Sequence, residues 1–331
     1  MHSFQTVADI RIAPGGAAKL DHYVEGLCRN KRIAIVTDKG VRGLGLMDAG
    51  LAALKSAGYA VFIFVKVVAD PPEAVVLEAV AAARASGADG VIGFGGGSSM
   101  DCAKLVALLA SGEQSLGELY GVNLARGTRL PLIQIPTTAG TGSEVTAVAI
   151  VTTGEQTKSG VVAPQLLPDL AVLDAELTVG LPAPLTAATG IDAMVHAIEA
   201  YTGVIGKNPY SDMLAVEALR LLGANIRRAV ADGGNLAARQ AMLLGACLAG
   251  QAFANSPVAA VHALAYPLGG HFHIPHGLSN ALVLTEVMRF NLPAAAEHYA
   301  QLAPVAIPGF VAEDTAQASS EKFIEALVEL I

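Results

Sequence analysis

Histidine is concentrated in one part of this 331-residue sequence. Four of its eight histidines, His262, His271, His273 and His276, lie within fifteen residues, where an even distribution would place fewer than one. The surrounding stretch from Gln240 to Thr285 contains no Lys, Arg, Asp or Glu, so we expect these imidazoles in a poorly solvated interior. Because a buried imidazole must satisfy two ring nitrogens, such a cluster is typical of a metal or substrate site.

A second segment supplies further candidate ligands. Asp192 and His196 are four residues apart in TGIDAMVHAIEAY, which places both on one face of a predicted helix. An isolated pair of this kind is more often a surface ion pair, but the charge-free histidine segment favours a shared ion. Together with His262 and His276, the pair forms a set of three imidazoles and one carboxylate, which suits Fe²⁺ or Zn²⁺.

A glycine-rich loop follows the predicted strand Gly90 to Gly93 and precedes a predicted helix, Met100 to Ala110. Glycines allow backbone N–H groups to approach a diphosphate closely, and a helix N-terminus adds unpaired donors and a favourable dipole. A tight turn between strand and helix is the alternative. The candidate cofactor-binding residues here are Gly95, Gly96, Gly97, Ser98 and, on the first turn, Asp101.

A second loop of small residues follows the predicted strand Leu130 to Ile135 and contains Thr137, Thr138 and Thr141. Two such loops at neighbouring strand ends fit one elongated cofactor. Asp38 ends the first predicted strand, where a carboxylate can accept hydrogen bonds from ribose hydroxyls and would repel a 2′-phosphate. This favours NAD over NADP, with a solvated turn residue as the alternative.

Composition excludes several classes of partner. The formal net charge is −8, so the chain has no excess of basic residues for nucleic acid or an anionic membrane. Apolar residues make up 53% and charged residues 15%, which suits extensive burial, subunit contacts and hence a homo-oligomer, dimeric or larger. Three widely spaced cysteines and an N-terminus without a basic, then apolar, signal pattern predict a cytoplasmic protein.

The first half of the chain alternates predicted strands, such as Arg32 to Val36 and Val61 to Val65, with Ala-rich helical segments such as Glu73 to Ser86. This alternation predicts a mainly parallel sheet covered on both faces, a variant of the Rossmann fold because the glycine loop comes well after the first strand. Beyond Pro168 to Pro184 the pattern changes to long helices. We therefore expect an α/β domain over residues 1–180 and a helical domain over residues 181–331.

Four linked motifs closely resemble those of the iron-containing, or group III, alcohol dehydrogenases. They are GGGSSMDCAK, TTAGTGSE, GIDAMVHAIEAY and VHALAYPLGGHFHIPHG, and the similarity extends from about Ala34 to Asn291 in the same order. The resemblance implies a fold like that of dehydroquinate synthase, with an N-terminal variant Rossmann-like parallel-sheet domain, a C-terminal all-helical domain and a metal in the cleft between them. It also implies hydride transfer between a small alcohol or aldehyde and NAD(H).

The resemblance extends to individual residues. It implies that Asp192, His196, His262 and His276 hold the metal, and it adds Lys158 to the cofactor contacts named above. Glu199 matches a family position that is not a ligand. Tyr266 stands where many relatives carry a histidine near the substrate, which leaves the route of the proton open between Tyr266 and His273. Family members also continue beyond the point where this chain stops, which is compatible with a C-terminally truncated helical domain.

Three other functions are alternatives for a chain with these motifs. A reductase of an oxo acid such as maleylacetate would need basic residues near the metal, and the stretch from Gln240 to Thr285 has none. A carbon–oxygen lyase like dehydroquinate synthase would need several basic residues for a phosphorylated substrate. A metal-binding protein without catalysis is the third. The sequence therefore favours an alcohol dehydrogenase that uses NAD and Fe²⁺, with Zn²⁺ left open.

Overall fold

The computed structural model describes residues 4–154, 157–272 and 274–331. The chain divides into two compact units. One unit comprises residues 6–138 and 143–178, and the other comprises residues 139–142 and 179–331 with the N-terminal segment that ends at Gln5. The first is an α/β unit and the second is helical.

The α/β unit contains a six-stranded sheet in the order β1-β9-β6-β4-β2-β3, and every pair of neighbours is parallel. A smaller three-stranded sheet has the order β5-β8-β7, with β7 and β8 antiparallel. The strands are β1 (Asp9–Ile12), β2 (Arg32–Asp38), β3 (Ala60–Val67), β4 (Gly90–Gly95), β5 (Gly121–Val122), β6 (Leu132–Pro136), β7 (Val148–Thr153), β8 (Thr157–Val162) and β9 (Leu170–Leu173).

Helices cover both faces of the larger sheet. Successive residues of β2 point to opposite faces, and because both faces are buried its central residues, 33–36, form an unbroken apolar run. Ile33 and Ile35 join the core under α1 and α3, whereas Ala34 and Val36 join the core under α4 and α5. The helices are α1 (Leu20–Val24), α2 (Lys39–Gly43), α3 (Asp48–Ser56), α4 (Glu73–Ser86) and α5 (Gly97–Ser111).

The helical unit is built around one buried helix. Every residue of α6 from Gly190 to Ala200 is buried, as expected for a helix that is packed on all sides. Asn208 and Asn235 cap the next two helices by accepting hydrogen bonds from Ser211 N and Ala238 N. The helices are α6 (Ala183–Thr202), α7 (Pro209–Ala231), α8 (Leu236–Asn255), α9 (Ala260–Phe272), α10 (His276–Ala306) and α11 (Ala316–Leu330).

The predicted fold class is confirmed, and the predicted strands and helices lie within a few residues of the observed ones. Five strands were not predicted, namely β1, β5, β7, β8 and β9. The strand β9 lies inside the region Pro168 to Pro184, for which no element was predicted, and its four apolar residues are too few for periodicity to identify a strand. None of the described helices is by itself long and apolar enough to cross a membrane; α8 and α9, bent by 106°, meet the criteria of length and composition only as a pair.

Candidate metal centre and dinucleotide loop

Three helices of the helical unit bring the four predicted metal ligands to one point. Asp192 and His196 lie on one face of α6, His262 lies on α9, and His276 is the first residue of α10. One potential ligand atom from each of these residues lies within 4.8 Å of the others. Three of the four residues are buried, and His276 is partly exposed.

The spacing of the donor atoms suits a divalent ion. Asp192 Oδ1 lies 3.5 Å from His276 Nε2 and 3.9 Å from His262 Nε2. The rings of His196 and His262 stack with their centroids 4.7 Å apart. Ligands about 2.1 Å from a tetrahedral ion are about 3.4 Å from one another, so small movements would bring these atoms into coordination. Imidazole and carboxylate donors of this kind are compatible with Fe²⁺ or Zn²⁺.

Glu199, one turn beyond His196 on α6, orients one of the ligands from behind. Its Oε2 lies 2.6 Å from Nδ1 of His262, and its Oε1 accepts a hydrogen bond of 2.7 Å from Val261 N. The carboxylate therefore places the ring proton of His262 on Nδ1 and leaves the Nε2 lone pair facing Asp192. Carboxylate–histidine pairs of this type fix the tautomer and the ring orientation of metal ligands.

The electrostatics of the cluster keep Asp192 and His196 in the forms that bind metal. Burial raises the pKa of Asp192, but the nearby His196, His276 and His262 and the hydrogen bond from Asn280 outweigh it, so this pKa is lower than usual. Burial lowers the pKa of His196 to about 3, with Asp192 opposing the shift. The carboxylate is thus ionised and the imidazole neutral near pH 7, as metal ligation requires. The residues present fit the metal that the sequence predicts.

In the α/β unit, the predicted cofactor-binding residues Asp38, Gly95 and Thr138 lie at the carboxyl ends of β2, β4 and β6. Gly95 has φ 151°, and a Cβ there would lie 2.8 Å from the Ser99 side chain and 3.5 Å from Asp38 Oδ2, so only glycine fits. Thr138 lies beside Gly96, about 3.6 Å from the position of a Cβ. Gly97 is the first residue of α5, so the N-terminus of this helix directly follows the glycine loop. This arrangement suits a diphosphate.

Other predicted cofactor residues are engaged by the protein itself. Asp101 Oδ1 accepts hydrogen bonds from Ser143 Oγ (2.6 Å) and Lys104 Nζ (3.3 Å), and Oδ2 accepts one from Ile150 N (3.0 Å). Asp101 therefore ties α5 to β7. Lys158 Nζ forms an ion pair of 2.7 Å with Asp70, whose backbone N–H donates to Ser98 Oγ. Asp70 thus contacts both predicted residues, Lys158 through its carboxylate and Ser98 through its backbone N–H.

The remaining predicted residues have different outcomes. Tyr266 packs its ring on that of His276, with centroids 5.9 Å apart, beside the metal ligands. Thr137 is buried and its N–H donates to Gly95 O. Thr141 belongs to the segment 139–142, which groups with the helical unit. His273 lies outside the described residues.

Sequence reasoning missed Asn280, which contacts three of the four ligands. The available signal was its spacing of four residues from His276, which places both side chains on one face of α10.

Comparisons with known proteins identify the family of this chain. The model of the family "Iron-containing alcohol dehydrogenase" matches residues 8–175, and that of the "Fe-containing alcohol dehydrogenase family, C-terminal" matches residues 186–331. Long-chain-alcohol dehydrogenase 1 of Geobacillus thermodenitrificans (strain NG80-2) is 47% identical over 280 residues, which cover 83% of this chain and 70% of that protein.

Two solved structures are similar over the whole chain. A crystal structure of 1,3-propanediol oxidoreductase has a TM-score of 0.95 and 36% identity, and the match covers 100% of this chain and 86% of that one. The sulfoacetaldehyde reductase from Bifidobacterium kashiwanohense in complex with NAD⁺ has a TM-score of 0.85 and 28% identity over the same shares. With both family models matched in order and the ligand set assembled, the chain belongs to the iron-containing alcohol dehydrogenase family.

Proposed function

We propose that this protein catalyses the NAD-dependent oxidation of a small alcohol to its aldehyde or ketone, and the reverse reduction, at a divalent metal centre. The observation that carries the proposal is the convergence of Asp192, His196, His262 and His276, whose donor atoms lie within 4.8 Å of one another. The family assignment makes Fe²⁺ the expected ion, and the donor set also accepts Zn²⁺.

The metal centre would bind and orient the substrate. A divalent cation, when bound, lowers the pKa of an alcohol hydroxyl beside it, and NAD⁺ accepts the hydride from the alcohol carbon. Asp192 supplies one negative charge to balance the cation, while Glu199 holds His262 in the tautomer that offers Nε2. The burial of three of the four ligands limits the access of water to the reacting hydroxyl.

The dinucleotide loop would bind NAD. In this proposal the backbone N–H groups of Gly95, Gly96 and Gly97 and the hydroxyl of Ser98 contact the diphosphate at the start of α5. Asp38 accepts hydrogen bonds from ribose hydroxyls and disfavours a 2′-phosphate. The further cofactor contacts that we propose are Asp101, Thr137, Thr138, Thr141 and Lys158.

Two side chains, Tyr266 and His273, are proposed for the route of the proton. Tyr266 stacks on the His276 ring, so its phenol is a candidate to relay the hydroxyl proton during alcohol oxidation, passing its own O–H proton onward as it accepts that of the alcohol. His273 is proposed as a second member of this route from the sequence alone. Tyr266 could instead serve only to pack against the His276 ring. Replacing Tyr266 by Phe distinguishes proton transfer from packing, because loss of a proton-transfer group changes the pH profile of kcat whereas a change in packing does not.

We further propose that the α/β domain spans residues 1–180 and the helical domain residues 181–331, and that the protein is a cytoplasmic homo-oligomer. Low charge density supports the oligomer, as does the exposure of large apolar side chains such as Val204 (88%) and Phe290 (84%). Light scattering coupled to size-exclusion chromatography gives the number of subunits, and a single protomer mass at micromolar concentration would contradict the proposal.

The central experiment reconstitutes the purified chain with Fe²⁺ or Zn²⁺ and follows NADH absorbance with a panel of short primary and secondary alcohols and their aldehydes. We expect metal-dependent turnover that a chelator abolishes and that fresh metal restores. A protein variant with His276→Ala should lose metal and activity together, whereas the control His22→Ala, an exposed histidine of α1, should retain both. A fully metal-loaded protein that turns over no member of the panel would refute the function.

A further inference from the structure

Asn280 lies at the centre of the ligand cluster although it is not one of the four predicted ligands. Its side chain is fully buried on α10, one turn after His276. The amide nitrogen Nδ2 donates a hydrogen bond of 2.6 Å to Asp192 Oδ1. The same nitrogen lies 3.2 Å from His262 Nε2 and 3.3 Å from His276 Nε2.

The neighbouring atoms determine how this amide is oriented. An ionised carboxylate only accepts hydrogen bonds, so Asp192 Oδ1 requires a donor. His262 carries its ring proton on Nδ1, which faces Glu199, and its Nε2 is therefore an acceptor as well. Turning the amide would bring its Oδ1 against Asp192 Oδ1, which is electrostatically unfavourable. The observed orientation is retained although Asn280 Oδ1 has no hydrogen-bond partner among the described residues.

We propose that Asn280 is a positioning residue of the metal centre. Its amide holds the Asp192 carboxylate so that Oδ1 faces Nε2 of His262 and Nε2 of His276. One rigid side chain on α10 thereby links ligands from three helices, α6, α9 and α10. The inference rests on the proposed metal centre, and it adds a residue that touches the ligands without supplying a coordinating atom.

An uncharged buried donor is suited to this role. A lysine or arginine at the same place would neutralise Asp192 and repel the cation, whereas an apolar residue would leave the buried carboxylate oxygen without its donor. An amide orients the carboxylate and leaves its charge available to the metal. Residues that hydrogen-bond to metal ligands typically contribute about 10–100-fold to metal affinity.

The test compares metal binding by full-length variants. Asn280→Leu removes the donor at similar volume, and Asn280→Ala removes it without adding bulk and is decisive if the Leu variant does not fold. Asn225→Leu is the matched control, because the Asn225 amide donates to Leu221 O within its own helix α7. Dissociation constants for Co²⁺ and Zn²⁺ are measured by chelator competition, and the visible absorption of the Co²⁺ form reports ligand geometry.

We expect both Asn280 variants to bind Co²⁺ about 10–100-fold more weakly and to change its absorption spectrum, while the control stays within about twofold of the parent. Folded Asn280 variants with parental affinity and an unchanged spectrum would overturn the inference. A parent chain that binds neither metal would instead refute the proposed metal centre, so the two failures are distinguishable.

Discussion

Replacing Glu199 by Gln should weaken metal binding although Glu199 does not contact the ion. The substitution conserves size and removes the negative charge behind His262. In the structure, one carboxylate oxygen faces His262 Nδ1 at 2.6 Å and the other accepts from Val261 N at 2.7 Å. A glutamine has a single acceptor oxygen, so one of these two donors must face an NH₂ group.

The size of the effect follows from these contacts. A hydrogen bond to a charged group contributes about 1.5–3 kcal/mol and a neutral one about 1 kcal/mol, so the loss of charge at His262 costs about 0.5–2 kcal/mol. The unmatched donor adds a further cost in the folded protein. Since 1.4 kcal/mol corresponds to a tenfold change in affinity, we expect Glu199→Gln to raise the dissociation constant of Zn²⁺ by about 3–30-fold.

Chelator competition at constant pH measures this constant, and urea unfolding of the chelator-treated proteins reports the separate effect on stability. Glu217→Gln is the control, because Glu217 forms an exposed ion pair with Arg220 on α7. A Glu199→Gln protein that is folded and binds Zn²⁺ within about twofold of the parent would show that the His262 tautomer does not depend on this carboxylate.

Three further predictions concern other parts of the chain. Asp38→Asn keeps an N-cap for α2 but removes the charge that repels a 2′-phosphate, so calorimetry should show the ratio of NADP⁺ to NAD⁺ affinity rising by about tenfold or more; an unchanged ratio would contradict the role of Asp38. Burial raises the pKa of Glu144 to about 7, so its contribution to stability falls as pH rises from the unfolded value through 7. Glu144→Gln should therefore raise the melting temperature at pH 8, where the gain in the free energy of unfolding is at most about 3 kcal/mol, and should leave it unchanged near pH 4. An equal rise at pH 4 and pH 8 would exclude this ionisation as the cause. Gly142→Ala should destabilise the protein in urea by about 1–3 kcal/mol, because Gly142 has φ 61° and a Cβ would lie 2.5 Å from Gly250 Cα; a neutral effect would show that the segment 139–142 can move away from α8.

Local patterns in the sequence were sufficient for much of the fold. The strand before Gly95 and the helix after it were predictable because an apolar run, glycines and an Ala/Leu-rich segment follow one another directly. The strands β7 and β8 were missed because most of their residues are only half-buried and the first half of β8 is polar; the two strands pair with each other, and β8 also pairs with β5. Asp101 was predicted to contact the cofactor, a role that remains a prediction, but its bonds to Ser143 and Ile150 depend on segments more than 40 residues away.

The metal centre shows the same division between sequence and structure. The sequence alone determined that Asp192 and His196 share a helix face, because a spacing of four residues has one outcome in a helix. It also determined, through residue type and the absence of charge around them, that His262 and His276 are candidate ligands. The bond from Glu199 to His262 spans 63 residues and that from Asn280 to Asp192 spans 88. Only the packing of α6, α9 and α10 decides which polar side chains stand behind the ligands, because these contacts join helices whose relative placement has no local signature.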